Sequence, residues 1–222
     1  MEHLTLVIPA KNEKESLPTV LKELEIYNLK KIIVLEKEDS ETIKSISNFQ
    51  CELIFQKNKG YGAALIEGIN NVKSKFFCIF NADGSFNPVE LSPMLIKLEN
   101  ENADFIFASR YENDCKSDDD TIITKSGNFI FTILGKIFFK LKISDILYTF
   151  VIGSTDAFKK LNLKNQDFSF CIELPIKANR MNFKLLTSKS HERQRLGGKK
   201  KVNAFKDGML ILISMIKLFF KN

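Results

Sequence analysis

The chain has 222 residues, 44% of them hydrophobic, and a formal charge of +6. That is enough apolar material for one sizeable core, so one domain is the default. Cys51, Cys78, Cys115 and Cys171 include no C-x-x-C pair, and two lie in apolar runs, which reads as buried thiols rather than zinc ligands or disulfides. The N-terminus lacks the charged-then-apolar layout of a signal peptide, and a reducing, cytosolic setting is expected.

The charge is uneven. Residues 177–222 hold twelve lysines and arginines against Glu192 and Asp207, a balance of +10; the rest hold 21 basic and 25 acidic side chains, a balance of −4. A basic tail on an acidic body suits phosphorylated ligands, an anionic membrane surface or nucleic acid. Nucleic acid is disfavoured, because no aromatic residues interleave the basic ones in a reader motif.

In chain order, buried-strand patterns fall at 4–9, 31–35, 51–56, 76–80 and 104–109, with helical patterns at 15–27, 40–48, 61–73 and 88–100. This alternation predicts a largely parallel sheet with right-handed crossovers. The polar piece Glu112–Asp120 reads as a surface loop, with Asp118, Asp119 and Asp120 in a solvated turn that no rigid element holds. Two apolar, lysine-bearing stretches follow: 129–142, within a helical segment set at 124–143, and 209–220. Neither reaches the roughly 20 apolar residues of a membrane span. Both suit helices lying at a headgroup surface, and 129–142 reads equally as a core helix. The last helix needs cover from a membrane or from a second copy of the chain.

The run Phe76–Phe80 ends in Asn81-Ala82-Asp83-Gly84-Ser85. A carboxylate beyond the carboxyl end of a parallel strand is placed to hold a divalent metal against a phosphorylated substrate, although a strand followed by an Asp-Gly turn is common. Two other blocks keep company with it: Leu4–Pro9 followed by Ala10-Lys11-Asn12-Glu13, and Lys57-Asn58-Lys59-Gly60-Tyr61-Gly62-Ala63-Ala64. With Ala103–Tyr111, these blocks resemble, in order and spacing, the inverting glycosyltransferases of family 2, closest to the dolichol-phosphate mannose synthase and polyprenyl-phosphate sugar transferase branch. The resemblance implies a GT-A-like α/β fold and covers nearly the whole chain.

It also implies roles. Pro9, Ala10, Asn12 and Glu13 stand where relatives hold the nucleoside, with a first helical turn as the ordinary alternative. Glu36 aligns with the first carboxylate of an Asp-Asp-Gly-Ser motif that reads Glu36-Lys37-Glu38-Asp39-Ser40 here. Gly60 and Gly62 are read as letting backbone approach the donor. Asp83, with Asn81 and Ser85, takes the metal position for Mg²⁺ or Mn²⁺, and Ala82 lies between them. Asn81 replaces the usual first Asp and brings an oxygen without charge. Asp145 and Glu173 are the candidate catalytic carboxylates; Asp145 is needed as a base for a hydroxyl acceptor and only for orientation if the acceptor is a phosphate. Glu173 reads otherwise as a buried ion-pair partner. Arg193, Arg195 and Lys201 form a candidate phosphate site in a glycine-bearing loop. His191, without a His or Cys partner, is not expected to ligate metal.

The expectation is a catalytic domain over 1–190 followed by a basic loop and amphipathic helix over 191–222. The function expected is inverting, metal-assisted transfer of a hexose from a GDP- or UDP-sugar to a polyprenyl phosphate. Because the chain stops without further spanning helices, it would be peripheral on the cytosolic membrane face. The alternatives are transfer to a glycan hydroxyl and a non-catalytic sugar-nucleotide-binding module.

Overall fold

The computed structural model describes residues 1–112, 115–197 and 203–220. Strands β1 (Leu4–Pro9), β2 (Lys30–Leu35), β3 (Glu52–Phe55), β4 (Phe76–Ile79) and β5 (Phe105–Ser109) form where the apolar runs predict them. Helices α1 (Leu17–Glu23), α2 (Ser40–Ser45), α3 (Tyr61–Asn70) and α4 (Leu91–Asn100) alternate with them. Two strands escape the apolar-run reading. β6 (Val151–Ser154) is four residues long and includes a glycine, and β7 (Leu185–Lys189) is a half-exposed edge strand. A short strand and a polar edge strand carry little periodic signal. α6 (Thr155–Leu161) and α7 (Phe170–Arg180) separate them, and Glu173 lies on α7.

The sheet order is β3-β2-β1-β4-β6-β5-β7. All neighbours are parallel except β6, which runs antiparallel between β4 and β5. From β1 the chain crosses to β2 on one side and later to β4 on the other. The carboxyl ends of β1 and β4 therefore flank the crevice in which open α/β sheets bind ligands. Alternation along each strand feeds two cores. Leu4, Leu6, Ile8 and Cys78 pack under α1 and α4, whereas Val7, Val34, Phe77 and Phe105 pack under α3, α6 and α7.

The second half adds α5 (Ile122–Phe139) and α8 (Ala204–Phe220), which pack on each other and on α7. Phe138 and Phe139 meet Phe219 edge-on, at ring centroid distances of 5.6 and 6.2 Å. α5 starts with a capping box made by Thr121 and Thr124. By length and composition it could cross a membrane. Its polar positions are nevertheless tied to the body: Asn128 Oδ1 accepts from Leu147 N, and Thr132 Oγ1 accepts from Ile146 N. α8 sends Ile211, Met215 and Leu218 into the larger core and leaves its other face exposed.

The Gly60–Gly62 block departs from its expected role. Gly60 has φ +124°, and a Cβ there would stand 2.2 Å from the Gln166 carbonyl oxygen. One on Gly62 would stand 2.2 Å from the Asn165 carbonyl oxygen. These glycines admit the backbone of the 165–167 loop; only Gly60 also reaches the cavity described below. Gly62→Ala should therefore cost about 3 kcal/mol, the upper range of overpacking, and lower Tm by roughly 6–12 °C for a chain of this size. Gly127→Ala on α5 meets nothing within 4 Å and should raise Tm slightly, through the helix preference of about 0.5–1 kcal/mol. Thermal unfolding of the two variants checks the contrast.

Candidate active site

One cavity of about 710 Å³ opens at the carboxyl ends of β1 and β4 and continues between α5 and α8. Its first half is built by the strand ends. Pro9, Ala10, Glu13 and Glu36 line it, together with Lys11 and Gln56, which sequence reasoning did not single out. Glu13 is buried; it accepts from Ser16 Oγ at 2.6 Å and takes Thr42 as a partner at its backbone N–H. Lys11 Nζ donates to Glu36 at 2.6 Å, and this holds the Glu36 carboxyl below the ordinary carboxylate range. Asn12 is a correction: it adopts a left-handed turn (φ 53°), gives its N–H to Asp39, and is not among the residues that line the cavity.

The turn after β4 supplies Asn81, Ala82, Asp83 and Ser85 to the cavity wall. Asp83 Oδ1 accepts from Ser85 N and Ser85 Oγ at 3.0 and 2.7 Å, and Asn81 Nδ2 donates to Ser85 Oγ at 3.3 Å. The segment after β7 straps this turn in place. Arg193 N donates to Ser85 O and Leu196 N to Asp83 O, both at 2.8 Å, while the Leu196 side chain covers Gly84 (φ +83°).

These donors fit a divalent cation. Asp83 Oδ2 has only the Arg195 guanidinium near it among the described residues, at 3.5 Å, and with its amide nitrogen on Ser85, Asn81 turns to no described donor with its amide oxygen. Among the described residues no group of three His, Cys, Asp or Glu could hold a metal alone. A site with one carboxylate suits Mg²⁺ or Mn²⁺ completed by substrate phosphates. A bound cation there would stabilise charge on a departing diphosphate.

The basic loop divides. Arg195 lines the cavity, its Nη2 3.5 Å from Asp83 Oδ2 and 3.0 Å from Asp119 Oδ2. Arg193 does not; it pairs with Glu23 and donates to the Phe86 carbonyl, so it is a staple and not a phosphate ligand. Lys201 lies outside the described residues.

Arg110, at the end of β5, organises the rest. Its Nε and Nη2 form a fork on Asp145 at 2.8 and 3.0 Å, and Nη1 reaches Glu192 at 3.0 Å and Asp120 at 3.4 Å. Its guanidinium lies 4.5 Å from the Tyr148 ring centroid. Asp145 is 1% exposed, and Arg110 N and Asn128 Nδ2 bind it as well. It does not reach the cavity, so it positions Arg110 and is no acceptor base. Glu173 is corrected too: it accepts from the backbone N–H of Lys164 and Asn165 and pairs with Lys177, fixing the loop against Gly60 and Gly62. The solvated-turn reading holds for Asp118, which stays exposed beside His191, and fails for Asp119 and Asp120. Asp119 binds Arg195, Asp120 binds Arg110, Tyr111 and Thr124, and Asp118 binds His191.

Sequence reasoning missed Arg110, Asp119, Asp120 and Glu192 as cavity residues. Arg110 had a usable signal, since it follows a buried strand at its carboxyl end. The acidic residues had none, because only the fold brings loop 115–121 against the strap.

The family model for glycosyl transferase family 2 matches residues 5–162. The chain belongs to this family. It is 21% identical over 210 residues to an uncharacterized glycosyltransferase of Mycobacterium tuberculosis, covering 95% of this chain and 94% of the relative. It is 22% identical over 183 residues to the low-salt glycan biosynthesis hexosyltransferase Agl6 of Haloferax volcanii, covering 79% of this chain and 44% of that one. Among solved structures, glucosyl-3-phosphoglycerate synthase of M. tuberculosis, in complex with Mn²⁺, UDP and glucosyl-3-phosphoglycerate, superposes with a TM-score of 0.76 at 11% identity, covering 97% of this chain and 79% of that one. Mannosyl-3-phosphoglycerate synthase of Rubrobacter xylanophilus gives 0.74 at 13% identity, covering 96% and 72%. Those two likenesses bear on the fold, which is the α/β GT-A arrangement expected, and the family membership makes the chain a glycosyltransferase.

Arg110→Met should destabilise the enzyme by about 3–5 kcal/mol at neutral pH, since it strands buried carboxylates. Burial already pushes the Glu192 carboxyl up, and loss of the guanidinium pushes it further. With a folded pKa above the unfolded one, the folded state takes up the extra proton. The deficit is therefore greatest above that raised value and shrinks as pH falls through it. Urea unfolding across pH 4.5–8 checks both statements.

Proposed function

We propose that this family 2 glycosyltransferase moves a hexosyl group, with inversion, from a UDP- or GDP-sugar to a polyprenyl phosphate at the cytosolic face of a membrane. The donor's nucleoside lies along Pro9, Ala10, Glu13 and Glu36, and its diphosphate, with Mg²⁺ or Mn²⁺, at Asp83. UDP and Mn²⁺ in the glucosyl-3-phosphoglycerate synthase structure support this donor side. The leaving diphosphate gains charge, which Arg195 is placed to meet.

The observation that carries the acceptor side is the continuation of the cavity between α5 and α8. There Ile123, Phe131, Phe205 and Ile211 form an apolar wall. Outside it, Phe129, Ile130, Ile137, Met209, Ile213 and Ile216 are exposed on the same two helices. Every exposed charge on both helices is a lysine (Lys125, Lys136, Lys206, Lys217), and the single acid, Asp207, is buried. Apolar side chains with only cations beside them suit an anionic lipid surface. A glycan hydroxyl is a second reading, favoured by Asp120 and Glu192 in the acceptor half of the cavity.

Incubation with labelled UDP- and GDP-sugars, polyprenyl phosphate and Mg²⁺ or Mn²⁺ should give organic-extractable label. Asp83→Ala or a chelator should remove at least about 99% of it, as expected when a charge-stabilising group is lost. Label in a water-soluble glycan instead would move the acceptor to the second reading. The double variant Ile213→Asp, Ile216→Asp should lose flotation with phosphatidylserine vesicles. Unchanged flotation would remove the membrane from the account.

A further inference from the structure

With Asp145 and Glu173 outside the cavity, the acceptor half still holds a carboxylate with a free oxygen. Glu192 Oε2 accepts from Arg110 Nη1 at 3.0 Å and from Ser117 Oγ. No described residue donates to Oε1, and the side chain lines the cavity. Asp120, the nearby alternative, has Oδ1 taken by Thr124 and Oδ2 by Tyr111. The backbone of Glu192 is fixed on both sides: its N–H donates to Lys116 O, and its carbonyl accepts from Asp118 N. The next residue, Arg193, is bonded to the turn that bears Asp83 and Ser85. The free oxygen is therefore held on rigid backbone, one residue from the strap on the donor turn.

We propose that Glu192 is the general base of the transfer, taking the proton of the acceptor's O–H as that oxygen attacks the anomeric carbon of the donor. One bond forms, between acceptor oxygen and anomeric carbon. One breaks, between that carbon and the diphosphate oxygen, and the electron pair leaves with the diphosphate. The proton ends on Glu192 and passes to solvent through the cavity mouth. The inference rests on the transferase reading above but holds for either acceptor. A phosphate monoester has its second pKa at about 6, so the share that enters as the P–O–H monoanion has a proton to give, as a glycan hydroxyl does.

The groups facing Glu192 are Arg110 from just after β5, Ser117 and Asp120 from the loop before α5, and Tyr148 from the loop before β6. Asp145 lies behind Arg110, Tyr111 lies beside Asp120, and His191 turns away to Asp118. Burial raises the Glu192 pKa, while Arg110 and Ser117 pull it back. A base tuned toward the working pH is what proton transfer favours.

Glu192→Gln keeps an oxygen for Arg110 and Ser117 but cannot take the proton. Its kcat should fall by about 10²–10⁴-fold, with nucleoside diphosphate affinity within about threefold, since the loss is confined to the chemical step. The acid limb of the wild-type kcat/KM profile should vanish. Ser117→Ala removes a bond that favours the carboxylate, so the acid limb should move to higher pH. A Glu192→Gln rate within about fivefold of wild type would overturn the assignment, as would a Ser117→Ala limb that stays in place. A third measurement needs no acceptor. In ¹³C-glutamate-labelled protein, the carboxyl resonance missing from Glu192→Gln should titrate above the ordinary carboxylate range, and titration at or below that range would overturn the proposal. Transfer to a glycan with the same pH behaviour would overturn the polyprenyl acceptor and leave the base standing.

Discussion

The half of the cavity proposed to take the acceptor depends on one buried guanidinium. Arg110 joins the end of β5 to Asp145, Asp120 and Glu192, and through Asp145 to Asn128 on α5. Burying these charges costs more than a single pair returns. The arrangement persists because the fork on Asp145, the Tyr148 face and the neighbouring hydroxyls satisfy the group almost completely. The consequence is positional. Three segments far apart in sequence, 117–120, 145–149 and 190–196, are held around one cavity wall.

The half of the cavity proposed to take the donor is organised by strand pairing. β1 and β4 are neighbours, and their carboxyl ends place Pro9–Glu13 and Asn81–Ser85 on one crevice. The strap then crosses from the acceptor half to the donor turn, through Arg193 N to Ser85 O and Leu196 N to Asp83 O. Glu192, Arg195 and Asp83 thus belong to one hydrogen-bonded unit. Movement of the strap would alter the donor turn and the acceptor wall together.

How much of this was legible in the chain follows from which forces are local. The five parallel strands, the α5 and α8 segments and the Asp83 turn were readable, because buried runs and turn residues are local signals. Glu173 misled because a buried helix carboxylate has the same sequence whether it caps a loop or faces a substrate; Lys164, Asn165 and Lys177 decide it. Arg193 and Arg195 are two residues apart in a basic run, yet one is a staple and the other lines the cavity. Asp119 and Asp120 read as solvated since their partners, Arg195 and Arg110, come from elsewhere in the chain. Gly60 and Gly62 were rightly marked as close-approach positions, but the approaching group is the 165–167 backbone.

In the proposed function the donor diphosphate and its metal lie on the Asp83 turn, facing the Arg110–Glu192 wall across one cavity. Anomalous diffraction at the manganese edge from crystals grown with Mn²⁺ and a nucleoside diphosphate tests it most directly. The expected result is a manganese peak bonded to the Asp83 carboxylate and to diphosphate oxygens, with the nucleoside along Pro9, Ala10 and Glu13. A peak on Asp119 and Asp120, with the nucleotide between α5 and α8, would contradict it.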